Sequence, residues 1–140
     1  MVKSTKPKVN RSFDGRGFTL IELMIVISII LILVAIAVPV YQQSVIHAKE
    51  AVLRQDLKTM RDQIDNYTMD KEKAPQALQD LVDAGYLRKL PKDPFTGSTE
   101  TWQVENSDTL ISLDQTEPGI SDVHSGSNLV GSDGTAYSSW

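Results

Sequence analysis

The chain has 140 residues, 41% hydrophobic and 23% charged, with a formal net charge of −4. It contains no cysteine, which excludes a disulfide framework and a thiolate metal centre, and only two histidines, His47 and His124, which leaves little material for acid–base chemistry. The charge is uneven: Met1–Gly17 carries Lys3, Lys6, Lys8, Arg11 and Arg16 against Asp14, a net of +4, leaving nine basic and seventeen acidic residues, a net of −8, in the remainder. That acidic body argues against nucleic acid as a partner, because phosphate binding needs clustered Lys and Arg.

Met1–Gly17 is polar, holds Pro7, Gly15 and Gly17, and lacks apolar periodicity, so it reads as an unstructured basic head. Phe18–Val40 then runs FTLIELMIVISIILILVAIAVPV, in which Ser28 is the one polar side chain after Glu22. Leu23–Val40 as a helix rises about 27 Å, enough to cross a bilayer core, and the basic head before it is the bias that keeps an N-terminus cytoplasmic. Beyond the apolar run, Leu53, Leu57, Met60, Ile64 and Tyr67 recur at helical spacing, with Lys49, Glu50, Arg54, Asp56, Lys58, Arg61, Asp62 and Asp65 on the other faces. The pattern predicts a single helix from about Phe18 to Met69, amphipathic over residues 42–69 and inclined to kink at Pro39, which removes a backbone donor.

Downstream, Ala74–Ala84 reads as a short second helix with Pro75 in its first turn and Gly85 as its cap. Leu90–Gly97 is a Pro- and Gly-punctuated loop. Thr101–Val104 and Thr109–Leu113 read as strands joined by a turn at Asn106–Asp108, and Pro118–Trp140 as an ordered loop whose aromatic residues need cover from water. The expected organisation is a head over 1–17, an apolar half-helix over 18–41, and a small α+β domain over 42–140.

The chemistry concentrates in Arg16–Gly17–Phe18–Thr19–Leu20–Ile21–Glu22. Gly17 lets a protease draw an extended backbone into its site, and hydrolysis after it creates an ammonium on Phe18 at the head of the apolar helix. Glu22 needs compensation there, since a carboxylate within an apolar segment costs roughly 2.5–3.5 kcal/mol even on lenient scales. The helix dipole supplies part of it, and the Phe18 ammonium of a neighbouring copy would supply more while setting the axial step between copies.

GFTLIE, followed by the apolar run and Pro39, resembles the type IV pilin and type II secretion pseudopilin superfamily. The segments GYLRKLPKDPFTG and SDVHSGS, with a Trp-containing strand between them, are similar to the major pseudopilins of type II secretion. The resemblance implies a pilin-like fold, and cleavage after Gly17 and N-methylation of Phe18 by a prepilin peptidase, with Glu22 guiding docking into a helical homopolymer. It also implies minor pseudopilins, an inner-membrane assembly platform with its ATPase, and membrane lipid as partners. The expected location is the inner membrane, with the N-terminus cytoplasmic and the domain periplasmic, before assembly into a periplasmic or cell-surface filament. No cofactor is required. In many members the C-terminal loop binds calcium, for which Asp122, Ser125 and Asp133, along with backbone carbonyls, are the candidate oxygen donors here; the paired acidic residues usual near the end of that loop are missing, the chain ending GTAYSSW.

Two other roles fit parts of the same pattern: a surface type IV pilus subunit, and an exported soluble protein whose signal peptide is discarded at Ala35–Ile36–Ala37. The second leaves Glu22 and the amphipathic helix without a purpose. An enzyme is not expected, because the sequence holds no phosphate-binding Gly loop and no metal-spaced His or Cys cluster, and the adjacent His124 and Ser125 rarely reach the geometry of base and nucleophile, with no acid partner evident in the sequence.

Overall fold

The computed structural model describes residues 1–3, 17–108, 110, 113 and 117–140. The basic head therefore lies mostly outside the described residues, as does most of the strand expected over Thr109–Leu113. Two compact units are present, Met1–Val40 and Tyr41–Trp140.

One helix, α1, runs over Leu20–Lys71 and is not interrupted at Pro39. Within Tyr41–Trp140 its buried residues are Glu50, Leu53, Leu57, Met60 and Ile64, at steps of three, four, three and four that place them on one face. Leu78, Leu81, Trp102, Ile120, Val123 and Tyr137 close over that face to form the core. Burying side chains of this size contributes about 1.5–3 kcal/mol each, and the core rather than helix propensity holds this half of α1 in register. The sequence pattern put Glu50 and Arg61 on the solvated side. Glu50 is instead 1% exposed, the first member of the buried stripe three residues before Leu53, and Arg61 is part-buried.

The second helix, α2, is shorter than expected, Gln79–Asp83. Pro75 does not open it: the Pro75 carbonyl accepts the Ile120 amide at 2.7 Å, which ties the stretch before the helix to the backbone at Ile120. Asp80 Oδ2 accepts the Gln76 and Ala77 amides, ordering the turn before the helix. The end follows expectation, with Gly85 at φ 85° and the Gly85 and Tyr86 amides donating to the Val82 and Leu81 carbonyls, the pairing of a left-handed glycine stop.

The sheet corrects the sequence reading. Its first strand, β1, is Gln103–Asn106, two residues later than Thr101–Val104, and its antiparallel partner is β2, Ile120–His124, inside the segment expected to be a loop. The register pairs Gln103 with His124, Val104 with Val123 and Glu105 with Asp122, then slips so that Asn106 meets Ile120. That bulge leaves Ser121 as the extra residue, and it lets Ile120 and Val123 both face the core although they are three positions apart. The rest of the expected C-terminal loop is ordered as anticipated, closing with a short 3₁₀ turn at Tyr137–Ser139 in which Tyr137 is buried.

Candidate functional site

The head of α1 is built by Thr19 and Glu22. The Glu22 amide donates to Thr19 Oγ1 at 3.2 Å and the Leu23 amide to the Thr19 carbonyl at 3.1 Å, so Thr19 caps the helix. Thr19–Leu20–Ile21–Glu22 has the Thr-x-x-Glu spacing that signals a helix start, a cue that charge and hydropathy alone do not carry. The cap leaves Gly17 and Phe18 outside the helix and places the Glu22 carboxylate in its first turn. A peptide bond that lies before a capped helix can be drawn into a protease without breaking a helical hydrogen bond. Nothing in the described structure lies within 4 Å of where a Cβ on Gly17 would sit.

Every residue from Phe18 to Val40 is exposed, and this stretch is long and apolar enough to cross a membrane. Ser28 turns its hydroxyl back onto the Met24 carbonyl at 2.7 Å, so the run offers no uncovered polar hydroxyl. Glu22 remains the one carboxylate on this surface. Pro39 leaves the Ala35 carbonyl without its usual amide partner four residues on, just before Tyr41, where the second compact unit begins.

The C-terminal segment is held to the domain by three polar clamps. In the first, Glu50 accepts the Ser132 amide at 2.7 Å, the Ser132 hydroxyl at 2.6 Å and the Tyr137 hydroxyl at 2.9 Å. Burial pushes the Glu50 carboxyl up, but the Ser132 and Tyr137 hydrogen bonds and nearby His47 outweigh it, so its pKa falls below the ordinary carboxylate value. The Tyr137 hydroxyl is pushed up to about 12 by burial and by Glu50 itself. In the second clamp, wholly buried Asp93 accepts the Phe95 and Thr96 amides on one oxygen and the Ser125 hydroxyl and Gly126 amide on the other. A Cβ on Gly126 would sit 2.1 Å from the Thr101 carbonyl oxygen, so this approach requires glycine.

The third clamp is Arg61, which donates to Asp122 Oδ1 at 2.5 Å, to the Val123 carbonyl at 2.9 Å and to the Trp140 carbonyl at 2.8 Å. His124 Nδ1 lies 2.6 Å from the Trp140 carbonyl. A carbonyl can only accept, so Nδ1 carries the proton and Nε2 faces Glu105 Oε2 at 3.5 Å and Asp122 Oδ2 at 3.7 Å.

These clamps separate the three oxygen donors expected to share a cation. Asp122 is bonded to Arg61, Ser125 to Asp93, and Asp133 folds back on its own turn to accept the Thr135 amide and hydroxyl. No signal in their spacing distinguishes this from a shared site. Glu50 was detectable, since it extends the apolar stripe one step upstream, whereas Asp93 and Arg61 are defined only by tertiary contacts.

Residues 14–38 match the family model described as the prokaryotic N-terminal methylation motif. The chain is similar to the type II secretion system core protein G of Klebsiella pneumoniae, 34% identical over 96 residues that cover 57% of this chain and 69% of the relative. It is 37% identical to the protein of the same name from Pseudomonas aeruginosa over 95 residues, 56% of this chain and 67% of the relative. A shorter similarity, 43% over 61 residues, covers 44% of this chain and 38% of the type IV major fimbrial protein FimA of Dichelobacter nodosus. No solved structure matches.

Proposed function

The chain belongs to the family of the type II secretion system core protein G, pseudopilins of the type IV pilin superfamily, and from that premise we propose a route of processing and assembly that starts at Gly17. As a member it is a membrane-anchored structural subunit of a pilin-like filament, of the major-pseudopilin kind, and not an enzyme.

In this route a prepilin peptidase cuts between Gly17 and Phe18 on the cytoplasmic side of the inner membrane and methylates the Phe18 amine. The subunit then waits with residues 18–41 in lipid and residues 42–140 in the periplasm. Assembly moves the apolar helices from lipid into a bundle of copies, where they stay buried, and draws on an inner-membrane platform with its ATPase and on minor pseudopilins. Pro39 is where the helix adjusts, because the hydrogen bond lost there lowers the cost of bending.

Glu22 carries this reading: one carboxylate, in the first turn of α1, within the otherwise apolar and exposed stretch Phe18–Val40. In a bundle of low dielectric, its partner of opposite charge is the Phe18 ammonium of the next copy, and one axial offset alone satisfies both. The test is Glu22→Ala. The variant is expected to insert and accumulate in the membrane while yielding no fibres, and normal fibres would contradict the pairing. Deleting the gene separates secretion from a surface pilus: lost protein export with surface fibres intact is the expected result.

A further inference from the structure

We propose that the Arg61 guanidinium is the built-in cation of the C-terminal segment, closing residues 120–140 onto the long helix without a bound divalent metal ion. Arg61 lies on α1 and reaches three oxygens from distant parts of the chain: Asp122 Oδ1, the Val123 carbonyl and the Trp140 carbonyl. A charged donor surrounded by a carboxylate and two carbonyls performs the task a hard cation performs in a loop, drawing separated oxygens to one centre. A guanidinium does so with fixed planar geometry and without dissociating.

The three side chains expected to hold calcium are engaged in separate places. Calcium takes six to eight oxygens, and those of Asp122, Ser125 and Asp133 are divided among three different hydrogen-bond networks. Ser125 Oγ donates its proton to Asp93 and accepts the Ser127 amide, which orients it toward that clamp. Glu105, Asp122 and His124 bring one ligand atom each within 4.8 Å of one another. Arg61 lies against that cluster through Asp122, and its positive charge opposes a second cation there. Arg54 adds to the same arrangement, stacking 4.1 Å above the Trp140 ring beside the carbonyl that Arg61 holds.

The experiment is thermal unfolding of the full-length chain in detergent, with excess chelator and with added calcium. The two midpoints are expected to coincide within about 1 °C, and a midpoint lowered by chelator would overturn the proposal. Arg61→Gln keeps hydrogen-bonding capacity but removes the charge. Its midpoint is expected to fall by about 5–10 °C, with faster proteolytic cutting within residues 120–140, and an unchanged midpoint would show Arg61 to be a bystander. If Arg61→Gln does not fold, Arg61→Lys takes its place, with partial retention of the midpoint as the supporting result and full retention as the contrary one.

Discussion

The two units of the chain solve the problem of burial in opposite ways. Tyr41–Trp140 covers its own apolar face: Leu53, Leu57, Met60, Ile64, Leu81 and Val123 are at most 2% exposed. No buried side-chain nitrogen or oxygen among the described residues lacks a hydrogen-bond partner. Phe18–Val40 covers nothing, and the same kinds of side chain, Leu31 and Ile32 among them, are each 62% exposed. The second unit is a finished fold, and the first is an unfinished surface that lipid or other copies must complete. Their carboxylates follow the same division, since Glu50 finds its donors within the chain while the proposed pairing assigns Glu22 the ammonium of a neighbouring copy.

The most severe way to break this comparison is to separate the units. A chain starting at Tyr41 is expected to be soluble and to unfold cooperatively in circular dichroism, whereas the full chain requires detergent; aggregation of the short chain would show that its core is not self-sufficient. Matched truncations come next. Leu57→Ala should cost the domain about 2–5 kcal/mol in chemical denaturation, while Leu31→Ala should leave domain stability unchanged and weaken only filament yield.

Glu50→Ala strips three donors of their charged acceptor and is expected to cost about 3 kcal/mol; Glu22→Ala should not change domain stability. The Glu50 pKa is lower folded than unfolded, so the stability it contributes is present above the ordinary carboxylate pKa and disappears as pH falls through the lowered folded value. Melting midpoints of the wild type should therefore drop on acidification below about pH 4, and Glu50→Gln should flatten that drop. The smallest effect concerns the exposed pair Lys58–Asp62, 2.7 Å apart: Lys58→Ala should alter stability by at most about 0.5 kcal/mol.

The sequence made the long helix readable because two signals coincide in it: an apolar run too long for a core strand, and a stripe from Leu53 to Tyr67 at helical spacing. Gly85 was equally readable, since few residues but glycine rest at its positive φ. β2 was not, for a physical reason. ISDVH offers only two apolar side chains, and strict alternation would send Ile120 and Val123 to opposite faces; the bulge that brings both inward is a property of the pairing with β1. Pro75 misled in the same way, as its helix-starting preference yielded to the hydrogen bond its carbonyl makes with Ile120. At the candidate site, the place of Glu22 at the head of the long helix could be read directly. The division of Asp122, Ser125 and Asp133 among separate clamps could not, because it depends on Arg61 and Asp93, which lie dozens of residues away.

The mass of the mature N-terminal peptide tests the central claim most directly, because the pairing of copies needs an amine that exists only after one particular cut. Tandem mass spectrometry of protein purified from membranes should find a chain beginning at Phe18 with a methyl group on its amine. A mature chain beginning at Val38, or at any residue other than Phe18, would remove the ammonium that Glu22 is held to meet.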